Sequence, residues 1–434
     1  MVRFGSSGIR GLGNVEVTPE LALRVGSVIG ELYGDSVIGR DPRITGPMLV
    51  QAFAAGVLST GSAAVDAGLV STPTLARGAR DFACGAMITA SHNPAPYNGI
   101  KLWNPDGMAF DEAQQREVEE ALDRSRFAGP TWDRIGAVFS RSDLVQQHID
   151  AILKDVGTAK VRVVVDCGCG ATCTITPFLL RQLGCDVLAI NAQADGHFPG
   201  REPEPTEENL VALRATVQAV QADLGIAHDG DGDRMVAVDR TGTFVGGDLL
   251  LALFARKEVR SGLVVPVDAS MVLEDLLPKA KVWRTRVGDV YVAAELKRRG
   301  ADFGGEPSGT WIFPKSTFCP DGVYAAARLV ALVAERPLDD LVREIPRYPV
   351  IRGAVSYRAS DRAAIETRLD RALRDSGAEV STVDGWRLQF EDGWALVRFS
   401  GTEPKIRILA ESREEARAKE IYSAVLSSAK GAAA

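Results

Sequence analysis

No stretch of the 434-residue chain approaches the roughly 18–20 uninterrupted apolar residues that a membrane-spanning helix needs. The longest apolar run, Leu249 to Ala255, is the size of a core segment. The opening Met1-Val2-Arg3-Phe4-Gly5-Ser6-Ser7 has no apolar h-region, so no secretory signal peptide is expected. Cysteine is scarce, and six thiols are too few for a disulfide scaffold. These absences together predict a cytoplasmic chain with reduced cysteines and no membrane partner. An excess of basic charge is missing as well: 50 Lys and Arg against 57 Asp and Glu give a formal net charge of −7. That balance argues against a dedicated nucleic-acid binder, whose affinity rests on a basic surface meeting phosphates. It leaves room for a local arginine cluster that takes a small anion. Cys167, Cys169 and Cys173 fall close together, but no histidine accompanies them and their spacing matches no zinc pattern. They read as small residues packed in a tight turn.

What is present is an ordinary globular composition, 25% charged and 46% hydrophobic. At about 150 residues per domain the length suggests two to four domains. β-Branched segments alternate with segments of helical period, the pattern of βαβ units and mostly parallel sheets. Thr18-Pro19 followed by Leu21, Val25, Val28, Ile29 and Leu32 predicts an N-capped helix with proline in its first turn. Val161–Val165, Val187–Ile190 and Leu224–Ala227 predict strands, and Ile175–Leu183 a helix. The last 85 or so residues change character. Val350–Tyr357, Trp386–Phe390 and Trp394–Phe399 alternate as antiparallel strands do, and Ser412-x-x-Glu415 predicts a capping box for a final helix bearing Ile421, Val425 and Leu426. The expected fold is α/β: three tandem α/β domains with mixed, mostly parallel sheets (1–154, 155–247, 248–348), then a C-terminal α+β domain (349–434).

Four segments carry chemistry. In His228-Asp229-Gly230-Asp231-Gly232-Asp233-Arg234, directly after a strand, three carboxylates alternate with glycines that permit a tight, inward-aimed turn. Such crowding calls for a cation, and oxygen-only ligands select a hard one, so Mg²⁺ is expected. A calcium EF-hand fails, because Arg234 and Arg240 stand where that loop needs Gly and Glu. Thr89-Ala90-Ser91-His92-Asn93-Pro94 places a serine in a polar turn. Ser91 is a candidate nucleophile, although the segment lacks the G-x-S-x-G elbow and, taken alone, reads equally well as a capping turn. In Arg398-Phe399-Ser400-Gly401-Thr402 with Arg407, two arginines flank a turn of hydroxyls and backbone N–H groups, either a phosphate cradle or a plain strand–turn–strand. Gly304-Gly305-Glu306-Pro307-Ser308-Gly309-Thr310 offers a carboxylate and a hydroxyl suited to vicinal sugar hydroxyls. Gly168-Cys169-Gly170 imitates the start of a dinucleotide fingerprint, but its third glycine position is Cys173, so it reads as a tight strand-to-helix turn.

In this order the segments resemble the α-D-phosphohexomutase superfamily of phosphoglucomutases, phosphomannomutases and phosphoglucosamine mutases. The likeness extends over Phe4-Gly5-Ser6-Ser7-Gly8-Ile9-Arg10-Gly11, where Ser6 replaces the usual Thr, Gly39-Arg40-Asp41-Pro42-Arg43, Asn98-Gly99-Ile100-Lys101, Asp195-Gly196-His197-Phe198-Pro199 and Pro203-Glu204-Pro205. The version of the sugar loop looks closest to the archaeal phosphoglucosamine mutase-like group. The resemblance implies four domains around one central cleft and a phosphoserine at Ser91. It implies Mg²⁺ held by Asp229, Asp231, Asp233 and the Ser91 phosphate, and a hexose 1,6-bisphosphate that serves as intermediate and activator. Catalytic roles would fall to Ser91, Arg10, Lys101 and His92; Glu306, Ser308 and Arg234 would bind substrate; Arg398, Ser400, Gly401, Thr402 and Arg407 would grip the phosphate that is not reacting. Thr310 stands where several bacterial relatives carry a histidine, which leaves the general acid/base among His92, Lys101 and Arg10. Glucosamine phosphate is the first substrate expected, with mannose and glucose phosphates next. A Mg²⁺-dependent sugar phosphatase is the rival enzyme class and a non-catalytic sugar-phosphate sensor the third reading. Partners would be small hexose phosphates only, and the chain a monomer or homodimer.

Overall fold

The βα alternation of the first 240 residues becomes two sheets. The computed structural model describes residues 4–5, 8–123, 129–400 and 403–433. The first sheet contains β1 (Ile9–Leu12), β2 (Ser36–Arg40), β3 (Ala64–Leu69), β4 (Cys84–Ile88), β5 (Tyr97–Trp103) and β6 (Val138–Ser140), in the order β1-β5-β4-β2-β3-β6. β2, β3, β4 and β6 run parallel, while β5 is antiparallel to both β1 and β4. Both faces are buried, so alternate residues serve different cores: Ile38 and Ile88 join the layer with helices Pro19–Leu32 and Gly46–Leu58, and Val37 and Met87 join the layer with Leu75 and Leu144. Each such side chain contributes about 1.5–3 kcal/mol by leaving water. The predicted N-terminal helix runs from Pro19 to Leu32, and the Thr18 side chain accepts from the Leu21 N–H.

The second sheet is β7 (Arg162–Asp166), β8 (Asp186–Ile190), β9 (Leu224–His228), β10 (Met235–Asp239) and β11 (Phe244–Val245), in the order β11-β10-β9-β7-β8. The strands read from sequence are here within a residue of their expected ends. The predicted helix at 175–183 is shorter, Thr176–Gln182, because a 3₁₀ turn over Ala171–Thr174 precedes it. Next come β12 (Gly262–Pro266), β13 (Lys281–Thr285) and β14 (Phe303–Glu306), with β12 parallel to both neighbours, and then the short β15 (Thr310–Ile312). The C-terminal strands β16 (Val350–Ser356), β17 (Glu379–Ser381), β18 (Trp386–Gln389), β19 (Gly393–Phe399) and β20 (Lys405–Ser412) form an antiparallel sheet in the order β16-β20-β19-β18-β17. Helices Arg362–Arg374 and Glu415–Ala433 cover its apolar face through Ile365, Leu369, Ile421 and Val425.

The capping box expected at Ser412 is not formed. Ser412 ends β20, its hydroxyl donates to the Asp392 carbonyl at 2.7 Å, and the helix starts later, at Glu415. Pairing with the sheet holds the serine back from the cap position. By internal contacts the chain divides into two compact units, residues 1–251 with 307–342 and residues 252–306 with 343–434. Among the described residues no helix is long and apolar enough to cross a membrane.

Candidate active site

Ser91 sits in the turn between β4 and β5, buried and with φ of +52°, a left-handed backbone that costs a non-glycine residue about 1–3 kcal/mol. A buried arginine holds it there. The Arg43 guanidinium donates from Nε to Asp41 Oδ2 at 2.9 Å, from one terminal nitrogen to the carbonyls of Pro94 and Tyr97 at 2.7 and 2.8 Å, and from the other to those of Ser91 and Asn93 at 2.8 and 2.6 Å. Its five N–H groups are thus all engaged, four of them on the serine turn. Asp41 also accepts from the Thr89 hydroxyl at 2.6 Å, and that hydroxyl accepts from the Ser91 N–H at 2.9 Å, closing a ring of hydrogen bonds around the serine. Burial raises the Asp41 pKa even though Arg43 and Thr89 oppose it, so the carboxylate depends on this arginine. The Phe198 ring lies 5.1 Å from the guanidinium carbon, and Gly196 next to it passes so close that an added Cβ would meet the Pro42 carbonyl at 2.4 Å.

The acidic turn between β9 and β10 comes to the same place. Ser91 Oγ donates to Asp229 Oδ2 at 2.7 Å, and a Cβ on Gly230 would fall 2.6 Å from the Ser91 carbonyl, so glycine there is what permits the approach. Asp229 Oδ1 accepts from the N–H groups of Gly232 and Arg234 at 3.0 and 3.1 Å, which turns the loop inward. The turn after β7 buttresses it from behind: the Ala171 N–H donates to the Gly230 carbonyl at 2.9 Å, and a Cβ on Gly170 would meet that oxygen at 2.7 Å. His228 links the loop's ends, with Nδ1 2.9 Å from the Arg234 carbonyl oxygen and Nε2 3.1 Å from the Thr176 hydroxyl; burial lowers its pKa to about 4 and keeps it neutral.

Carboxylate oxygens of Asp229, Asp231 and Asp233 lie within 4.8 Å of one another, and all three residues are buried. Lys101, on β5, places Nζ 2.8 Å from Asp231 Oδ2 and 2.7 Å from Asp233 Oδ2. Thr72 completes the setting of Asp231, donating from Oγ1 to Oδ2 at 2.6 Å and from its N–H to the carbonyl at 2.8 Å. Burial raises the Asp229 pKa well above the usual range, and the charges of Asp233 and Asp231 add to the rise. Burial pushes Asp231 the same way but is overcome by Lys101 and Thr72, so its pKa is lowered. Lys101 is raised, because Asp231 and Asp233 outweigh its own burial. Three carboxylates against one ammonium leave the cluster short of positive charge. Asp231 Oδ1 and Asp233 Oδ1 are buried without a hydrogen-bond partner among the described residues. Such orphaned acceptors, with oxygen as the sole donor type, fit a hard divalent cation, so the site could hold a metal. His92 Nδ1 is 3.4 Å from Ser91 Oγ, and burial with Arg234, Arg10 and Lys101 nearby lowers its pKa to about 3. Arg10, on β1, donates to Asn93 Oδ1 at 3.0 Å. Arg234 pairs with Glu204 at 3.5 Å, and its backbone bridges Thr310.

Glu306, at the end of β14 in the second unit, accepts from the Gly288 N–H at 2.7 Å, while Ser308 belongs to the first unit. β19 and β20 are the two strands expected around the Ser-Gly-Thr turn, and they set Arg398 directly opposite Arg407. Like charges facing across a ladder are unfavourable unless an anion joins them. Both line a cavity of about 810 Å³ together with Ser400 and Lys405. Gly401 and Thr402, and Ser6 of the N-terminal motif, lie outside the described residues.

Comparison with known proteins identifies the family. Residues 1–129, 143–242 and 246–348 match the phosphoglucomutase/phosphomannomutase α/β/α domains I, II and III, and residues 354–428 match the C-terminal domain. The chain belongs to the phosphoglucomutase/phosphomannomutase family. A probable phosphoglucosamine mutase of Methanococcoides burtonii is 53% identical, with 96% of each chain covered, and one of Methanosarcina acetivorans is 53% identical, with 97% of each covered. A crystal structure of a phosphoglucomutase/phosphomannomutase family protein from Burkholderia thailandensis superposes with a TM-score of 0.89 at 28% identity, covering 100% of this chain and 99% of that one. The protein is therefore a phosphohexomutase, an enzyme of the isomerase class.

Within this phosphohexomutase, sequence reasoning missed the Arg43 network, Phe198 and Thr72. Asp41, Arg43 and Phe198 lay within the motifs that carried the resemblance, yet nothing local in them tells that a guanidinium would thread the serine turn. Thr72 follows Ser71 and precedes Pro73, which reads as a helix start and no more.

Proposed function

We propose that this phosphohexomutase interconverts glucosamine 6-phosphate and glucosamine 1-phosphate through a phosphorylated Ser91 and a bound 1,6-bisphosphate. The observation that carries the reading is the 2.7 Å hydrogen bond from Ser91 Oγ to Asp229 Oδ2, which sets the acceptor oxygen at the edge of the acidic cluster. The choice of sugar is supported by the names of the archaeal relatives at 53% identity.

Asp229, Asp231, Asp233 and the Ser91 phosphate would hold Mg²⁺, which when bound neutralises charge on the transferring group. In transfer to substrate the sugar hydroxyl oxygen bonds to phosphorus as the Ser91 Oγ–P bond breaks, and the hydroxyl proton leaves to a base. His92 is the one of the three candidates that is neutral near pH 7, and burial and the cations around it hold its basicity down, so it would accept the proton only in step with transfer. Lys101 is locked as an ammonium by two carboxylates, so with Arg10 it serves as a fixed cation beside the phosphoryl oxygens. Arg234 would join these contacts. Glu306 and Ser308 would take sugar hydroxyls, and Arg398, Ser400, Gly401, Thr402 and Arg407 the distal phosphate. We place the domain boundaries at 154, 247 and 348, and the hexose 1,6-bisphosphate doubles as activator.

Turnover of glucosamine, glucose and mannose 1-phosphates by purified, phosphorylated enzyme tests this reading. Glucosamine 1-phosphate is expected to be the best substrate, and turnover far below the other two rejects the choice. Ser91→Ala is expected to abolish mutase activity and the acid-stable phosphoryl adduct seen by intact mass. An acid-labile adduct in the parent enzyme instead indicates an aspartyl phosphate and a phosphatase.

A further inference from the structure

The cavity lined by Arg398 and Arg407 contains two carboxylates that an anion site does not call for; Glu403 is paired with Lys405 at 3.0 Å, which leaves Asp268. Asp268, in the loop after β12, lines the same cavity as Arg352, Arg398, Ser400, Lys405 and Arg407. Its Oδ1 is buried without a hydrogen-bond partner among the described residues. A carboxylate there repels a phosphate, so it needs a reason.

Holding Arg398, Lys405 or Arg284 in place is not that reason, because each of these has another partner. Arg398 is paired with Asp384 at 3.1 Å and Lys405 with Glu403 at 3.0 Å. Arg284, which also acts on Asp268, is tied to Glu274 at 2.7 Å and to the Ala269 carbonyl at 2.7 Å. The loop is also firmly set. The Val267 N–H donates to the Thr285 carbonyl at 2.9 Å, and Glu411 accepts from the Ser270 hydroxyl and the Met271 N–H at 2.7 and 2.8 Å. Asp268 therefore borders the cavity on a loop whose backbone is fixed on both sides of it. Burial raises its pKa, and Arg398 only partly offsets this, as befits a carboxylate still lacking a cation of its own.

We propose that Asp268 recognises the C2 ammonium of a hexosamine 1-phosphate whose phosphate is seated between Arg398 and Arg407. The nitrogen stands on the carbon next to the one bearing the phosphate, so a phosphate-anchored sugar carries it to the cavity wall. A volume of about 810 Å³ has room for part of the sugar ring as well as a phosphate. Asp268 is thus a specificity-determining residue for the amino sugar, and this rests on the glucosamine phosphate reading above. A sugar bearing a hydroxyl at C2 leaves the half-buried carboxylate without a cation, which penalises it relative to the amino sugar.

The test compares kcat/KM for glucosamine 1-phosphate and glucose 1-phosphate in the parent enzyme and in Asp268→Asn, with thermal melting as the folding control. The expected result is a preference for the amino sugar in the parent that falls roughly ten- to hundredfold in Asp268→Asn, the range of a charge-assisted hydrogen bond. Glucose 1-phosphate turnover should be unchanged or improved. A parent without the preference defeats the substrate reading and this inference with it. A parent with it and an Asp268→Asn variant that keeps it defeats this inference alone. So does equal loss on both sugars in a folded variant, which assigns Asp268 to the phosphate. Should Asp268→Asn not fold, the parent enzyme still decides: the preference must vanish as pH rises through the pKa of the sugar's own ammonium, and a preference that survives on the neutral amine overturns the proposal.

Discussion

Arg43 shows how much a single buried side chain decides at the site. It joins the serine turn, Asp41 and the Phe198 ring, and its removal leaves Asp41 as a buried charge without a counter-charge. Breaking a buried pair in this way costs about 3–5 kcal/mol. Arg43→Met is accordingly expected to lower unfolding free energy by about that amount in urea melts. Activity should fall further than stability explains, since the left-handed Ser91 loses the four carbonyl contacts that hold its turn. Ser91 and the three aspartates were legible as types at a spacing. Arg43 was legible only as part of a matching motif, because its partners at Ser91, Asn93, Pro94 and Tyr97 are about 50 residues away in sequence and no periodicity links them.

At the scale of elements the site is two turns, each leaving the C-terminal end of a strand and returning antiparallel, β4 to β5 and β9 to β10. Ligand sites favour the carboxyl ends of strands in such sheets. What allows the turns to meet is the missing side chain of Gly230. Gly230→Ala would set a methyl against backbone at 2.6 Å, which nothing flexible can relieve. The expected outcome is a fold intact by circular dichroism, destabilised by about 1–3 kcal/mol, with mutase activity reduced at least tenfold. The strands that bear these turns could be read because continuous β-branched runs such as Val163-Val164-Val165 have few alternatives. Helix starts were less legible. Ser412 has the sequence of a cap, yet β20 claims it, since a sheet partner competes for the same hydroxyl and backbone.

For the whole molecule, the order of motifs along the chain was the most informative feature of the sequence, and it identified a family that no separate segment could. A metal held by the acidic cluster, as proposed, would also tie the enzyme's stability to that ion. An ion bound to the folded protein alone stabilises it by about 2.7 kcal/mol at a hundredfold excess over its Kd. Adding Mg²⁺ to protein stripped with EDTA is expected to raise the melting midpoint, and Asp231→Ala to remove that rise along with activity. The hairpin of β19 and β20 is expected to have the converse dependence on anions. Arg398 faces Arg407 and is offset only in part by Asp384 at 3.1 Å, so a tetrahedral dianion bound between the two arginines would relieve their repulsion. On the proposed reading of these arginines, sulfate or inorganic phosphate in a buffer would compete with substrate, and Michaelis constants measured in such buffers would overstate the enzyme's need for sugar phosphate.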